Sequence, residues 1–175
     1  MKNKLKSFTL IFFCFFLLCK SVNSNEPFEF NVTEIEILEN GNQINGYKGG
    51  TATSEDGSVI SAENFYYNKL TNILETFGDV KYFDKTKNIV ITADKAIYLK
   101  NEEKVFTIGN SKAVNENNII TASSLEYDKI NNIFKAKKDA IVNDLKKDTT
   151  IYADEITYFK NEEKVFTEGV TQALI

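Results

Sequence analysis

The residues best suited to chemistry come as acidic pairs. Glu102-Glu103 and Glu162-Glu163 set two carboxylates side by side, and Asp94 and Asp154 recur at matching places upstream. Paired carboxylates catalyse when they flank one site from separate environments. Each pair here lies instead among lysines (Lys100 and Lys104, Lys160 and Lys164) in a polar stretch that occurs twice, which reads as a solvated turn. Asp94 and Asp154 read as turn or edge residues for the same reason. Nucleophilic triads and zinc sites need His or Cys. The chain has no His, and its two cysteines, Cys14 and Cys19, fall in an apolar N-terminal run. No EF-hand spacing is present, and Gly49-Gly50 and Asn40-Gly41 read as hairpin turns rather than phosphate cradles. No metal or cofactor is expected, and the chain reads as a non-enzyme.

A repeat positions these residues. Residues 91–113, ITADKAIYLKNEEKVFTIGNSKA, return as residues 151–173, IYADEITYFKNEEKVFTEGVTQA, with eight consecutive identities from Lys100 and Lys160 onward. Ile60-Ser61-Ala62-Glu63 and Ile120-Thr121-Ala122-Ser123 begin the same pattern, and a weaker version starts near Asn31. Starts at Asn31, Ile60, Ile91, Ile120 and Ile151 lie 29, 31, 29 and 31 residues apart. The unit is therefore about thirty residues, present five times. In each, an I-x-A strand leads to a Tyr (Tyr67, Tyr98, Tyr127, Tyr158), a polar turn follows, and a second strand reaches a Gly (Gly78, Gly109, Gly169). Apolar residues recur at every second position between Asn/Asp/Gly turns, the signature of half-buried strands. Residues 135–147, the most helix-like stretch, keep Ala136, Ala140 and Val142 on one strand parity. One two-stranded unit cannot bury its apolar face alone, so the units must stack.

The faces decide what such a stack offers. Opening strands place Ile60/Ala62, Ile91/Ala93, Ile120/Ala122 and Ile151/Ala153 on one side. Second strands contribute Leu74 and Val80, Val105, Phe134 and Val165, with Thr and Gly between them and Lys138 in place of the fourth Gly. Two apolar faces then meet, with small residues along part of the wall. They make either a filled sandwich core or an apolar groove, and patterning alone leaves both open. The repeat tyrosines either line such a groove or pack with their hydroxyls at its rim.

The ends and composition narrow the setting. Lys2, Lys4 and Lys6 precede an uncharged apolar run of twelve, Phe8 to Cys19, and Val22-Asn23-Ser24 follow it. That is the pattern of a signal peptide over residues 1–24, cut after Ser24, and the run is short of the roughly twenty residues a membrane span needs. A retained anchor and a lipoprotein through Cys19 are the alternatives. Removing residues 1–24 would delete four Lys and no acid, making the charge more negative than −4. A net acidic chain argues against nucleic acid as partner. Residues 25–175 suit one domain.

The I-x-A-D…Y…N…G pattern, best seen in Ile60-Ser61-Ala62-Glu63, Ile91-Thr92-Ala93-Asp94 and Ile151-Tyr152-Ala153-Asp154 with Gly78, Gly109 and Gly169, resembles the OstA-like family. That family includes the lipopolysaccharide-transport proteins LptA and LptC and the N-terminal domain of LptD. The resemblance runs from about Phe28 to the end of the sequence. It implies an all-β fold, an antiparallel β-jellyroll or V-shaped "β-taco". It also implies a periplasmic carrier that bridges inner and outer membranes and moves lipopolysaccharide along its groove. Its implied partners are lipopolysaccharide acyl chains and other OstA-like domains (LptC-like, LptD-like, or further copies) joined by terminal strand addition. On this reading the acyl chains meet Ile60, Ala62, Leu74, Val80, Ile91, Ala93, Val105, Ile120, Ala122, Phe134, Ile151, Ala153 and Val165. Lysines near the groove mouth are expected to contact lipid phosphates. The competing readings are an exported structural β-solenoid without cargo, a fragment of the LptD translocon, and an LptC-like partner.

Overall fold

Alternating residues between Asn/Asp turns fold into a ladder of antiparallel hairpins. The computed structural model describes residues 27–175, so the expected signal peptide lies outside the described residues. The strands are β1 (Phe28–Leu38), β2 (Gln43–Ser54), β3 (Val59–Ala62), β4 (Asn64–Asn68), β5 (Ile73–Asp84), β6 (Ile89–Leu99), β7 (Lys104–Val114), β8 (Asn118–Asp128), β9 (Ile133–Asp144), β10 (Thr149–Phe159), β11 (Lys164–Glu168) and β12 (Gln172–Leu174). They form one antiparallel sheet in chain order. β3 and β4 both lie between β2 and β5, as two halves of one strand, and β11 and β12 pair in the same way with successive parts of β10. The expected fold class, an all-β antiparallel stack built from repeats, is what the chain adopts.

A line of bulges creases this sheet. The register shifts between Phe77 and Val80, Thr92 and Lys95, Ile108 and Ser111, and Ala153 and Glu155. A bulge bends its strand and sharpens the local twist, and here the bulges line up from strand to strand. The two limbs on either side fold together, and their inner faces share one core. Glycine is needed at the crease because Gly78, Gly109 and Gly169 have φ near +80°. A Cβ there would also run into Glu63, Asp94 and Asp154 respectively. The fourth copy departs on both counts. Ser123 replaces the acid, and Lys138 and Asp139 take the left-handed conformation with φ of 62° and 53°. Removing the bulky acid accompanies the loss of the glycine, and the bend survives.

The hairpin ends form two rims. Along one, the turns at residues 69–72, 100–103, 129–132 and 160–163 are stitched by backbone bonds, Lys100 N–H to Asn72 O and Lys129 N–H to Glu103 O among them. Asp84, Asn115 and Asp144 cap turns of the other rim by accepting backbone N–H bonds two and three residues on. Asn72, Asn88, Asn132 and Asp148 supply the positive φ these tight turns need.

Candidate functional site

The interior between the limbs is the candidate site. Of the residues expected to line it, Ile60, Ala62, Leu74, Val80, Ile91, Ala93, Val105, Ile120, Ala122, Phe134 and Ala153 are buried. All of these except Ala93 belong to one contact cluster, against which the partly buried Ile151 and Val165 pack. The structure therefore brings the two predicted faces together. The space between them is filled along most of its length by the repeat aromatics. Tyr82 lies 6.0 Å from Tyr98 and 6.4 Å from Tyr127, which stacks on Phe134 at 4.6 Å. Phe28 closes the β1 end, edge-on to Tyr67 at 5.1 Å and Tyr98 at 5.7 Å.

Four further wall residues were hidden from the alternation. Inward parity switches at the acid of each I-x-A-D motif, so Phe65, Ala96, Leu125 and Ile156 also face the core. A signal for them exists: each follows the motif's Ile by five residues and is apolar in every copy.

The interior opens at the last repeat. A cavity of about 220 Å³ is lined by Val142, Ile151, Tyr158 and Val165, with Asn118, Lys146, Lys147 and Glu163 at its margin. Two residues of the expected lining, Ile151 and Val165, thus meet open space.

Above the interior, polar ties join the rims. The tyrosines point their hydroxyls there: Tyr98 donates to Glu103 at 2.5 Å, Tyr127 to Asp84 at 3.2 Å, and Tyr158 accepts from Asn118 at 2.9 Å. At the centre is Lys129, a lysine only 6% exposed. Its ammonium pairs with Asp56 on the opposite rim and with Glu103 at 2.9 Å, and donates to Ser58 Oγ at 3.3 Å. A buried cation persists only when its charge is compensated, and these carboxylates supply that. Burial works against the Lys129 charge, but the hydrogen bonds it donates to Asp56 and Glu103, with the charges around them, outweigh it and hold the ammonium above its ordinary range. Burial likewise opposes the Asp56 carboxylate, and the bond from Lys129 overrides it, leaving that group well below the usual range. Two more lysines extend the tie: Lys87 donates to Lys129 O, and Lys160 to Lys87 O at 3.3 Å.

The acidic residues are accounted for by this frame. Glu102 and Glu162 are exposed in turns, as expected, whereas Glu103 is half-buried because Lys129 from the next turn reaches it. Asp94 accepts from Asn110 Nδ2 at 2.9 Å and Asp154 from the Val170 N–H at 3.1 Å, each buttressing the crease. Among the described residues no group of three or more His, Cys, Asp or Glu is placed to hold a metal ion. None of their helices is long and apolar enough to cross a membrane.

A family model described as OstA-like protein matches residues 29–171. Among solved structures, the chain is similar to LptH, the LptA homologous periplasmic component of the conserved lipopolysaccharide transport device from Pseudomonas aeruginosa. The TM-score is 0.62 at 14% identity, over 69% of this chain and 96% of that one. At that identity the likeness concerns the fold alone. The TCP10 domain of Danio rerio CPAP, in complex with a peptide of Danio rerio STIL, aligns over 82% of this chain and 99% of that one at 11% identity. Its TM-score of 0.17 gives no common fold. No curated protein matches the chain.

Proposed function

The chain belongs to the OstA-like family, and on that premise we propose that it is a periplasmic lipid carrier without catalytic activity. Its cargo would be lipopolysaccharide, held by its acyl chains and moved between the inner and outer membranes. The observation that carries this reading is the continuous apolar interior of the creased sheet, ending in the cavity at Ile151 and Val165. Each acyl methylene buried there contributes about 0.8 kcal/mol, so a few methylenes suffice for a site that must also release. The thirteen residues from Ile60 to Val165 named above would be the acyl-facing wall. In this conformation most of them pack on each other, so cargo would have to part the limbs.

Both ends of the sheet support assembly by strand addition. β1 is an edge strand with Ile35 53% and Ile37 61% exposed, and β11 and β12 expose Phe166 and Leu174 at the other edge. Exposed apolar edges either aggregate or are paired. Pairing with an LptC-like or LptD-like domain, or another copy, would prolong the groove. Residues 1–24 would direct export and residues 25–175 form the single carrier domain. The filled interior is also what a structural β-solenoid without cargo would have.

Native mass spectrometry of the protein purified from its own periplasm separates these readings. The carrier reading expects a lipid-bearing species and an end-to-end ladder that Ile37→Lys collapses to monomer. A lipid-free protein forming the same ladder would favour the cargo-free solenoid.

A further inference from the structure

The ties across the mouth are unevenly charged. Lys129 is held by carboxylates from two turns, Asp56 and Glu103, and so fastens one rim to the other. Lys87 and Lys160 donate only to backbone carbonyls across the mouth, and among the described residues neither has a carboxylate within ion-pair distance. Burial lowers the Lys87 ammonium below its ordinary value; the nearby Lys129 and Lys160 charges push the same way, against Asp84. Three ammonium groups thus line one stretch of the mouth, directly over the interior capped by Tyr98 and Tyr127. Two of them have no direct ion pair, although Asp84 and Asp128 lie close enough to Lys87 to favour its charge.

We propose that Lys87, Lys129 and Lys160 form a binding site for the phosphate ester of an amphiphile. Binding there transfers Lys129 from Asp56 to the phosphate and so unlatches the rims. The inference rests on the carrier reading and deepens it. A phosphate monoester carries about −1.5 to −2 charge and three acceptor oxygens, so it can satisfy all three ammonium groups at once, which Asp56 cannot. The exchange also gives a role to an ion pair that joins the rims above an interior already held by apolar packing. The pair is replaceable by the cargo's own head. The shut state would exclude uncharged amphiphiles, because affinity is reduced by the fraction of protein already open.

Calorimetric titration of the purified chain with dodecyl phosphate, dodecyl maltoside and inorganic phosphate, below micellar concentrations, tests this. The wild type should bind dodecyl phosphate about tenfold tighter than the maltoside, and inorganic phosphate should neither bind at that level nor compete. Lys129→Met should tighten maltoside binding by about tenfold, as expected when a closed state is lost, and erase the preference. Lys129→Arg should restore it. If Lys129→Met does not fold, Lys87→Met keeps the latch while removing one cation that has no direct ion pair. It should weaken dodecyl phosphate binding and leave the maltoside unchanged. Wild-type preference that survives in Lys129→Met and Lys87→Met would overturn the gate alone. So would inorganic phosphate binding as tightly as its dodecyl ester. Failure of every variant to bind either amphiphile would instead refute the carrier reading, and the gate with it.

Discussion

Asp94 lies over Gly109, where a side chain has no room and φ is +78°. Gly109→Ala must therefore strain the backbone and displace the carboxylate, at a cost of about 2 kcal/mol or more. Urea denaturation measures that loss, and adding Asp94→Ser should recover part of it, as Ser123 and Lys138 coexist in the fourth copy. An unchanged midpoint for Gly109→Ala would contradict this reading of the crease. The latch carboxylates make stability depend on pH. Asp56 and Glu103 are held below their unfolded values of 3.8 and 4.5, against burial, by Lys129 and Lys100 among others. Groups depressed in this way stabilise the fold fully above the unfolded values, and that contribution is lost as pH falls through the folded ones. Wild type should lose more stability than Asp56→Asn between pH 6 and pH 3, read by thermal melts at each pH. Parallel losses would remove Asp56 from the account.

At the scale of strands, the repeat period, the hairpin unit and the inward Ile-x-Ala pairs were legible, because alternation is a local property of each strand. The parity switch was not. It depends on a bulge in the neighbouring strand, and strict alternation within β6 or β8 points Ala96 and Leu125 outward; only the recurrence of an apolar residue five after each motif's Ile marks them. Lys138 hid a bend for the same reason, since its left-handed backbone is set by the crease and not by its own propensity. The roles of Glu103 and Lys129 were also illegible: identical turn sequences at residues 100–107 and 160–167 sit in different surroundings, and only the first has Lys129 beside it. The switch itself makes a prediction. Leu125→Ala should cost about 2–5 kcal/mol, as for a buried leucine, while Ser124→Ala next to it should stay within about 0.5 kcal/mol. Comparable effects in chemical denaturation would place Leu125 outside the core.

For the whole molecule, one sheet creased along its bulges produces two rims, one interior and two open edges. The interior is packed where aromatics from both limbs meet and opens beside Ile151 and Val165, so a chain-like ligand would enter at the Ile151 cavity and part the limbs progressively toward Lys129. Such parting is feasible because the rims are joined by replaceable polar ties, whereas the crease is continuous backbone. The central claim, that this interior holds acyl chains, is tested most directly by site-specific photo-crosslinking in cells with an intact envelope. The probe would be placed at Ile151 and Ile91, with exposed Glu102 as the control. The account predicts lipopolysaccharide adducts at Ile151 and, once the limbs part, at Ile91, with none at Glu102. Adducts absent from both interior positions, in protein shown to be folded and exported, would mean that the two faces serve only to pack against each other.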